Sequence, residues 1–230
     1  RALSGVPVLT GARRRLTGQI AVERFGADVL ILDDAFQHRS LLRNLDIVMM
    51  DAATPVGNGR LLPAGPLREP LASLRRAHLI VRTGSEGDIL EPENHTAPDI
   101  PVFRGIRRPL GIVEGQTGRL FPADSLQKAK VCAFAGIARP EAFCRSLIAL
   151  GAEVLAFKPF PDHHPYTRSD VIALKRLAEE KGADRIVTTE KDGIRLTDFP
   201  DFLADLSVLR IGMEVTPPGP FAELIFSGLA

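Results

Sequence analysis

Short continuous apolar runs alternate with amphipathic stretches along this chain, and that rhythm narrows its possible folds more than any other feature. Val29-Leu30-Ile31-Leu32, Leu45 to Met50, Leu79-Ile80-Val81, Val131 to Ala135, Glu153 to Phe157, Arg185 to Thr189 and Leu206 to Ile211 read as strands, with Val6-Pro7-Val8-Leu9 a shorter one. Continuous rather than alternating apolar runs are the pattern of strands buried on both faces. Between them lie helical stretches. Residues 13–25 place Leu16 and Ile20 four apart, Pro140 to Leu150 opens on a proline and closes at Gly151, and Ser169 to Lys181 ends at Gly182. A further short helix is expected at Pro70 to Ala77. Strands alternating with helices predict a parallel sheet covered on both sides. Residues 84–128 break the rhythm with Pro92, Pro98, Pro101, Pro109 and Pro122. They read as an irregular linker with one short strand pair, Val102 to Ile106 being a candidate. Two α/β units joined by a linker follow.

Composition removes several classes. Of 230 residues, 45% are hydrophobic and 25% charged, which excludes a disordered chain, a collagen-like chain and a disulfide scaffold. Lys+Arg is 29 against Asp+Glu 28, a net charge of +1, so nothing points to nucleic acid as a partner. Cys132 and Cys144 sit in apolar surroundings without a CxxC pair, which fits a reducing compartment and no metal-ligand pattern. No apolar run reaches the ~18 residues of a membrane span, and no signal peptide is visible. The chain opens on Arg1 and enters a strand pattern almost at once, so the true N-terminus is expected upstream.

Four segments carry candidate chemistry. The run Val29 to Leu32 ends in Asp33-Asp34-Ala35-Phe36-Gln37-His38. In open α/β sheets ligands bind beyond the carboxyl ends of strands, and carboxylate oxygens there suit Mg²⁺. The pattern resembles the metal-associated strand of a P-loop NTPase; two aspartates that merely end a strand and cap a turn would look the same. The second segment, Gly57-Asn58-Gly59-Arg60-Leu61-Leu62-Pro63-Ala64-Gly65-Pro66-Leu67-Arg68-Glu69-Pro70, holds three glycines and three prolines and should have a fixed shape. Arg60 and Arg68 can grip phosphate. Glu69 stands at a helix start, where a carboxylate is favoured for structural reasons alone. The third, Phe160-Pro161-Asp162-His163-His164-Pro165-Tyr166, offers a proton relay or hydrogen-bonding histidine. Adjacent histidines make a poor bidentate metal site, and packing or capping is the plainer role; Thr167 is a candidate helix cap. In the fourth, Thr188-Thr189-Glu190-Lys191-Asp192, Lys191 could meet phosphate, but a local salt-bridge cluster opening a helix is favoured. Arg13-Arg14-Arg15 reads as a solvated helix face that could also meet anionic headgroups. His78 and His95 have no partner in view, and Phe221 to Phe226 reads as tail packing.

Together and in this order, with Phe134-Ala135-Gly136-Ile137-Ala138-Arg139-Pro140 between the second and third, these motifs resemble the tetraacyldisaccharide 4'-kinases, the lipid A 4'-kinases of Gram-negative bacteria. The resemblance covers nearly the whole chain, and the loop from Gly57 to Glu69 is its most distinctive part. It implies a three-layer P-loop-kinase-like α/β core plus a smaller α/β domain joined by a two-stranded linker. Residues 1–100 would be the C-terminal part of the core, 101–128 the linker, 129–205 the smaller domain, and 206–230 a return strand and tail. It implies ATP and Mg²⁺ as cofactors and transfer of the γ-phosphoryl group to the 4'-hydroxyl of a tetraacyldisaccharide 1-phosphate. The setting would be the cytoplasmic face of the bacterial inner membrane, with the membrane surface and the lipid as partners, no nucleic acid, and a monomer. Asp33, Asp34 and Glu69 would hold the metal. Gln37, His38 and Arg14 would bind the cofactor or a substrate phosphate. Arg68, His163 and Asp162 would be catalytic, His163 pairing with an aspartate. No G-x-x-x-x-G-K-[ST] occurs in the chain; the phosphate loop, a membrane-associating helix and that aspartate are expected upstream of Arg1, and the 230 residues alone are expected to be inactive or nearly so. The rivals are another P-loop kinase, a GTPase-like metallochaperone, or a non-catalytic membrane-surface module.

Overall fold

The computed structural model describes residues 5–84 and 99–229, and the chain divides into two compact units, residues 1–106 with 215–230 and residues 107–214. Unit 1 begins with α1 (Arg14–Phe25), closed by Gly26 in the left-handed conformation. It continues through β1 (Ile47–Asp51) and β2 (Leu79–Gly84) into the first half of β3 (Val102–Glu114). β1 pairs with β2 and β2 with β3, both in parallel, Ile47 opposite Leu79 and Ile80 opposite Val102. Leu79, Val81 and Phe103 form a buried cluster, against which Val215, Phe221, Leu224 and Ile225 pack. Phe221 meets Phe103 edge-on at 5.2 Å. The last helix, α6 (Pro218–Leu229), therefore covers the strands of unit 1, while Phe226 stays exposed.

Unit 2 contains the end of β3, β4 (Leu120–Phe121), β5 (Lys130–Ala135), α2 (Pro140–Ala149), β6 (Glu153–Pro159), α3 (Arg168–Lys181), β7 (Arg185–Thr189), α4 (Glu190–Arg195), α5 (Pro200–Ala204) and β8 (Leu206–Thr216), which carries the chain back to unit 1. Its strands run β6-β5-β7-β8, each neighbouring pair parallel. β5 is buried from Val131 to Ala135, as its continuous apolar run requires. α2 packs Phe143 and Leu147 onto one face of the sheet. α3 packs Val171 and Leu174 in the cluster around Phe134, Phe202 and Leu206. α3 starts on a capping box, in which the Thr167 hydroxyl accepts from the Asp170 N–H and Asp170 accepts from the Thr167 N–H. It ends at Gly182 with φ 65°, a left-handed cap that favours glycine. Among the described residues no helix is long and apolar enough to cross a membrane.

Several expectations are corrected. Val6 to Leu9 and Val29 to Leu32 are not strands. Val8 is 81% and Ile31 94% exposed; among the described residues no strand lies beside either run to satisfy its backbone, and Pro7 has no N–H to offer. The helix expected at Pro70 to Ala77 is a 3-10 helix, Leu71–Arg76, held by bonds such as Ser73 N–H to Pro70 O. The described part of the irregular stretch holds the longest strand, β3. Its first half pairs with β2 and its far end with β4, and Pro109 falls between the two paired stretches. His78 has a partner: its Nδ1 accepts the Asp46 N–H at 2.9 Å. His95, Pro92 and Pro98 lie outside the described residues.

Candidate functional site

In unit 1 the segment after Leu32 turns sharply. Asp34 takes φ 47°, a left-handed conformation that costs a non-glycine residue of order 1 kcal/mol or more. The turn closes with the His38 N–H donating to Ala35 O at 2.8 Å. Both carboxylate oxygens of Asp34 accept from one nitrogen of Arg68, Nη1, at 2.9 Å each. That bond and the guanidinium charge hold the Asp34 carboxyl below the usual carboxylate range, with a smaller contribution from Arg14. Arg14 also donates through Nη1 to the Asp33 carbonyl at 2.6 Å, tying α1 to the turn. Arg14 and His38 line one shallow depression, with Arg13, Arg15, Gln19 and Ser40.

The Gly57–Pro70 loop is internally fixed, as its composition led us to expect. Asn58 donates to Ala64 O at 2.9 Å, and the Leu62 N–H to Leu67 O at 2.9 Å. Gly57 and Gly59 both have left-handed φ, 57° and 71°. Beside the loop lies a cavity of about 510 Å³ lined by Met50, Thr54, Gly57, Asn58, Leu71 and Arg82. The third residue expected at the metal is Glu69. It accepts from Arg76 Nη2 at 2.6 Å, both side chains being largely buried, and the Arg76 guanidinium lies 4.6 Å over the Phe36 ring. The bond from Arg76 lowers the Glu69 carboxyl against the opposing effect of burial; Ser73 and Arg39 add to the lowering. The structure thus joins Asp34 to Arg68 and Arg14 to Asp33. Arg76 links Glu69 to Phe36 of the turn. No cluster of three or more His, Cys, Asp or Glu able to hold a metal occurs among the described residues. Mg²⁺ needs no such cluster, since one or two carboxylates with water and substrate phosphates commonly suffice. An exposed Asp34 carboxylate beside an arginine is compatible with that chemistry.

In unit 2, His163 has φ 59° and an 81% exposed side chain. Its N–H donates to Gly136 O at 3.2 Å and to Asp162 Oδ1 at 3.0 Å, and its Nδ1 lies 3.1 Å from Arg195 Nη2. Asp162 Oδ2 is 3.9 Å from His163 Nε2. His164 faces elsewhere: its ring stacks on Phe160 at 4.6 Å and its Nε2 lies 3.2 Å from Asp170. Asp192, on α4, is completely buried. It accepts the Gly136 N–H at 3.2 Å, the Thr189 hydroxyl at 2.7 Å and Arg195 Nη1 at 3.1 Å. Glu190 pairs with Arg210 at 2.7 Å, so the fourth segment is the helix-opening ion-pair cluster favoured from sequence. Tyr166 is buried beside this cluster, and desolvation together with the Asp192 carboxylate pushes its phenol far up. A Cβ at Gly136 would stand 3.0 Å from the Tyr166 hydroxyl and 3.2 Å from Asp192 Oδ1, so only glycine fits there without displacement. Sequence reasoning missed Arg195. Its one local signal is the three-residue spacing from Asp192 on a helix.

A family model described as tetraacyldisaccharide-1-P 4'-kinase matches residues 1–229. A protein from Syntrophus aciditrophicus (strain SB) named tetraacyldisaccharide 4'-kinase is 44% identical over 238 residues, covering 98% of this chain and 64% of its own. One of the same name from Anaeromyxobacter sp. (strain Fw109-5) is 46% identical over 223 residues, covering 94% and 59%. The crystal structure of LpxK from Aquifex aeolicus in complex with ATP matches with a TM-score of 0.73 at 31% identity, over 94% of this chain and 62% of that one. The chain therefore spans about three fifths of the length of these relatives, and its α/β fold is that of the solved kinase.

Proposed function

This chain belongs to the tetraacyldisaccharide-1-P 4'-kinase family, and on that premise we propose that its full-length parent transfers the γ-phosphoryl group of ATP to the 4'-hydroxyl of a tetraacyldisaccharide 1-phosphate. The observation that carries this reading is the Asp34–Arg68 pair at 2.9 Å. A carboxylate and a guanidinium held side by side match the two halves of a metal–phosphate ligand, the carboxylate suited to the cation and the guanidinium to the anion. The Aquifex relative, 31% identical, was solved in complex with ATP, which supports ATP as the donor.

In this reading Asp33, Asp34 and Glu69 would hold Mg²⁺, with Arg76 orienting the Glu69 carboxylate. Bound there, the ion neutralises charge on the transferring phosphoryl group. Arg68 grips a phosphate oxygen. Gln37 and His38 follow Asp34 in the same turn and contact the nucleotide, while Arg14 meets a substrate phosphate in the depression it shares with His38. His163, with Asp162 next to it, is the side chain we assign to hydrogen bonding in the transfer step. Phosphoryl transfer needs positioning and charge stabilisation more than covalent help, and these residues are of the types that supply both. The acceptor lipid places the enzyme at the cytoplasmic face of the inner membrane, and the Arg13-Arg14-Arg15 run is suited to its anionic surface.

The test is a radiolabelled-ATP assay on the full-length parent with lipid acceptor and Mg²⁺. Phosphorylated lipid is expected from the wild type, and Asp34→Ala should lower kcat by orders of magnitude with the circular dichroism spectrum unchanged. Wild-type turnover in that variant, with unaltered Mg²⁺ dependence, would mean that the aspartates only shape the turn.

A further inference from the structure

His163 has both its backbone and its ring tied to a single neighbourhood. The Gly136 carbonyl accepts from the His163 N–H at 3.2 Å and from Arg195 Nη1 at 2.8 Å. The same Nη1 donates to the fully buried Asp192, which is itself held by Thr189 and by the Gly136 N–H. The guanidinium is thus fixed by a carbonyl and a carboxylate, and its other nitrogen, Nη2, stands 3.1 Å from His163 Nδ1. A guanidinium carries N–H donors and no acceptor. The contact is a hydrogen bond only if Nδ1 accepts, and a neutral imidazole that accepts at Nδ1 carries its proton on Nε2.

We propose that Arg195 is a positioning residue that locks His163 in the Nε2–H tautomer, so that His163 meets its target as a hydrogen-bond donor to an anionic oxygen and not as a proton acceptor. This rests on the kinase reading above, in which His163 acts where the phosphoryl group is transferred, and it specifies what His163 does there. The anionic oxygen belongs either to a carboxylate of the protein or to a substrate phosphate.

The experiment uses the full-length protein labelled with ¹⁵N-histidine. Two-bond ¹H–¹⁵N spectra at alkaline pH report which ring nitrogen is protonated, and His163→Ala assigns the signal. The wild type should show protonated Nε2, and Arg195→Met should release the Nδ1–H form. If Arg195→Met fails to fold, because Asp192 loses its partner, Arg195→Lys keeps the charge beside Asp192. Its single nitrogen cannot span Gly136 O, Asp192 and Nδ1 together, and it should release the tautomer in the same way. Arg195→Lys should lower kcat by about 10- to 100-fold with little change in the KM for ATP, the scale expected when a reacting group is misplaced. In a His163→Ala background it should cost nothing further. A shift of the Nε2 signal on adding ATP assigns the oxygen to the substrate, and no shift assigns it to the protein. A wild-type ring protonated on Nδ1, or an Arg195→Lys variant that keeps both tautomer and kcat, overturns the proposal. Wild-type kcat in His163→Ala would instead remove His163 from the transfer reaction, while the spectra would still decide whether Arg195 sets its tautomer.

Discussion

Replacing Asp192 by alanine should destabilise unit 2, and the size of the effect follows from what the carboxylate holds. The side chain is completely buried and accepts three hydrogen bonds, from the Gly136 N–H, the Thr189 hydroxyl and Arg195 Nη1. Removing it leaves two buried neutral donors unpaired, each costing about 1–3 kcal/mol. Arg195 suffers less, because its side chain is 22% exposed and it keeps the Gly136 carbonyl as a partner. The total is about 3–5 kcal/mol, the range found when one member of a buried pair is deleted. The chain contains one tyrosine and no tryptophan, and that tyrosine, Tyr166, lies in the same unit. Its fluorescence therefore reports on unit 2. With a urea slope of roughly 2 kcal/mol per molar, the midpoint should fall by about 2 M. A midpoint within ~0.5 M of wild type would show that the buried carboxylate does not hold the unit together.

Gly136→Ala should destabilise the same unit by about 1–3 kcal/mol, since a Cβ there presses on the Tyr166 hydroxyl and on Asp192; urea unfolding followed by Tyr166 reads it, and an unchanged midpoint would mean that the neighbours yield freely. Asp170→Ala removes the capping box of α3 and should cost about 1 kcal/mol at neutral pH. Burial raises the Asp170 carboxyl, but bonds from the Thr167 hydroxyl and N–H and from His164 outweigh it and the net shift is downward. The folded value therefore lies below the unfolded one, so this contribution is present above the ordinary carboxylate range and is lost as pH falls through the lowered value. The gap between wild type and variant in urea titrations should close on acidification, and a gap independent of pH would contradict the argument. His164→Ala should lower stability through loss of its stack on Phe160, while kcat of the full-length parent stays close to wild type; a large loss of kcat with an unchanged urea midpoint would reverse the roles given to the two histidines.

The fold was legible in the sequence wherever a segment's pattern and its neighbours agree. Val131 to Ala135 and Val29 to Leu32 carry the same signal, a continuous apolar run. The first is buried between β6 and β7, whereas Ile31 in the second is 94% exposed. An apolar run states that a strand would be buried if others flanked it, and nothing local states whether they do. β3 shows the reverse case. Val102 to Ile106 was readable as a strand, but Pro109 and Gly111 hide its continuation to residue 114, where pairing with β4 holds the segment extended. α3, with a capping box at one end and a left-handed glycine at the other, was readable because both signals are local.

The candidate site divides along the same line. Asp34 and His163 stand out by residue type and by position after strand-like runs, and Arg68 by its place in the Gly57–Pro70 loop, but the side-chain contacts they make join residues 34 and 32 positions apart. Among the described residues only Asp34, Lys128 and His163 are non-glycine residues with positive φ, and two of the three were chosen from sequence for their chemistry. Strained backbone persists where surrounding contacts over-determine it. In both cases an arginine from a later segment is one of those contacts: Arg68 bridges both oxygens of Asp34, and Arg195 meets the ring of His163. Each arginine does more than hold a side chain in place. Arg68 lowers the Asp34 carboxyl below the usual carboxylate range, and Arg195 accepts nothing and so dictates where the ring proton of His163 resides. On the proposal above, replacing Arg195 leaves His163 in the chain but alters the tautomer it presents, which is why this position separates geometry from chemistry more sharply than deletion of His163 itself.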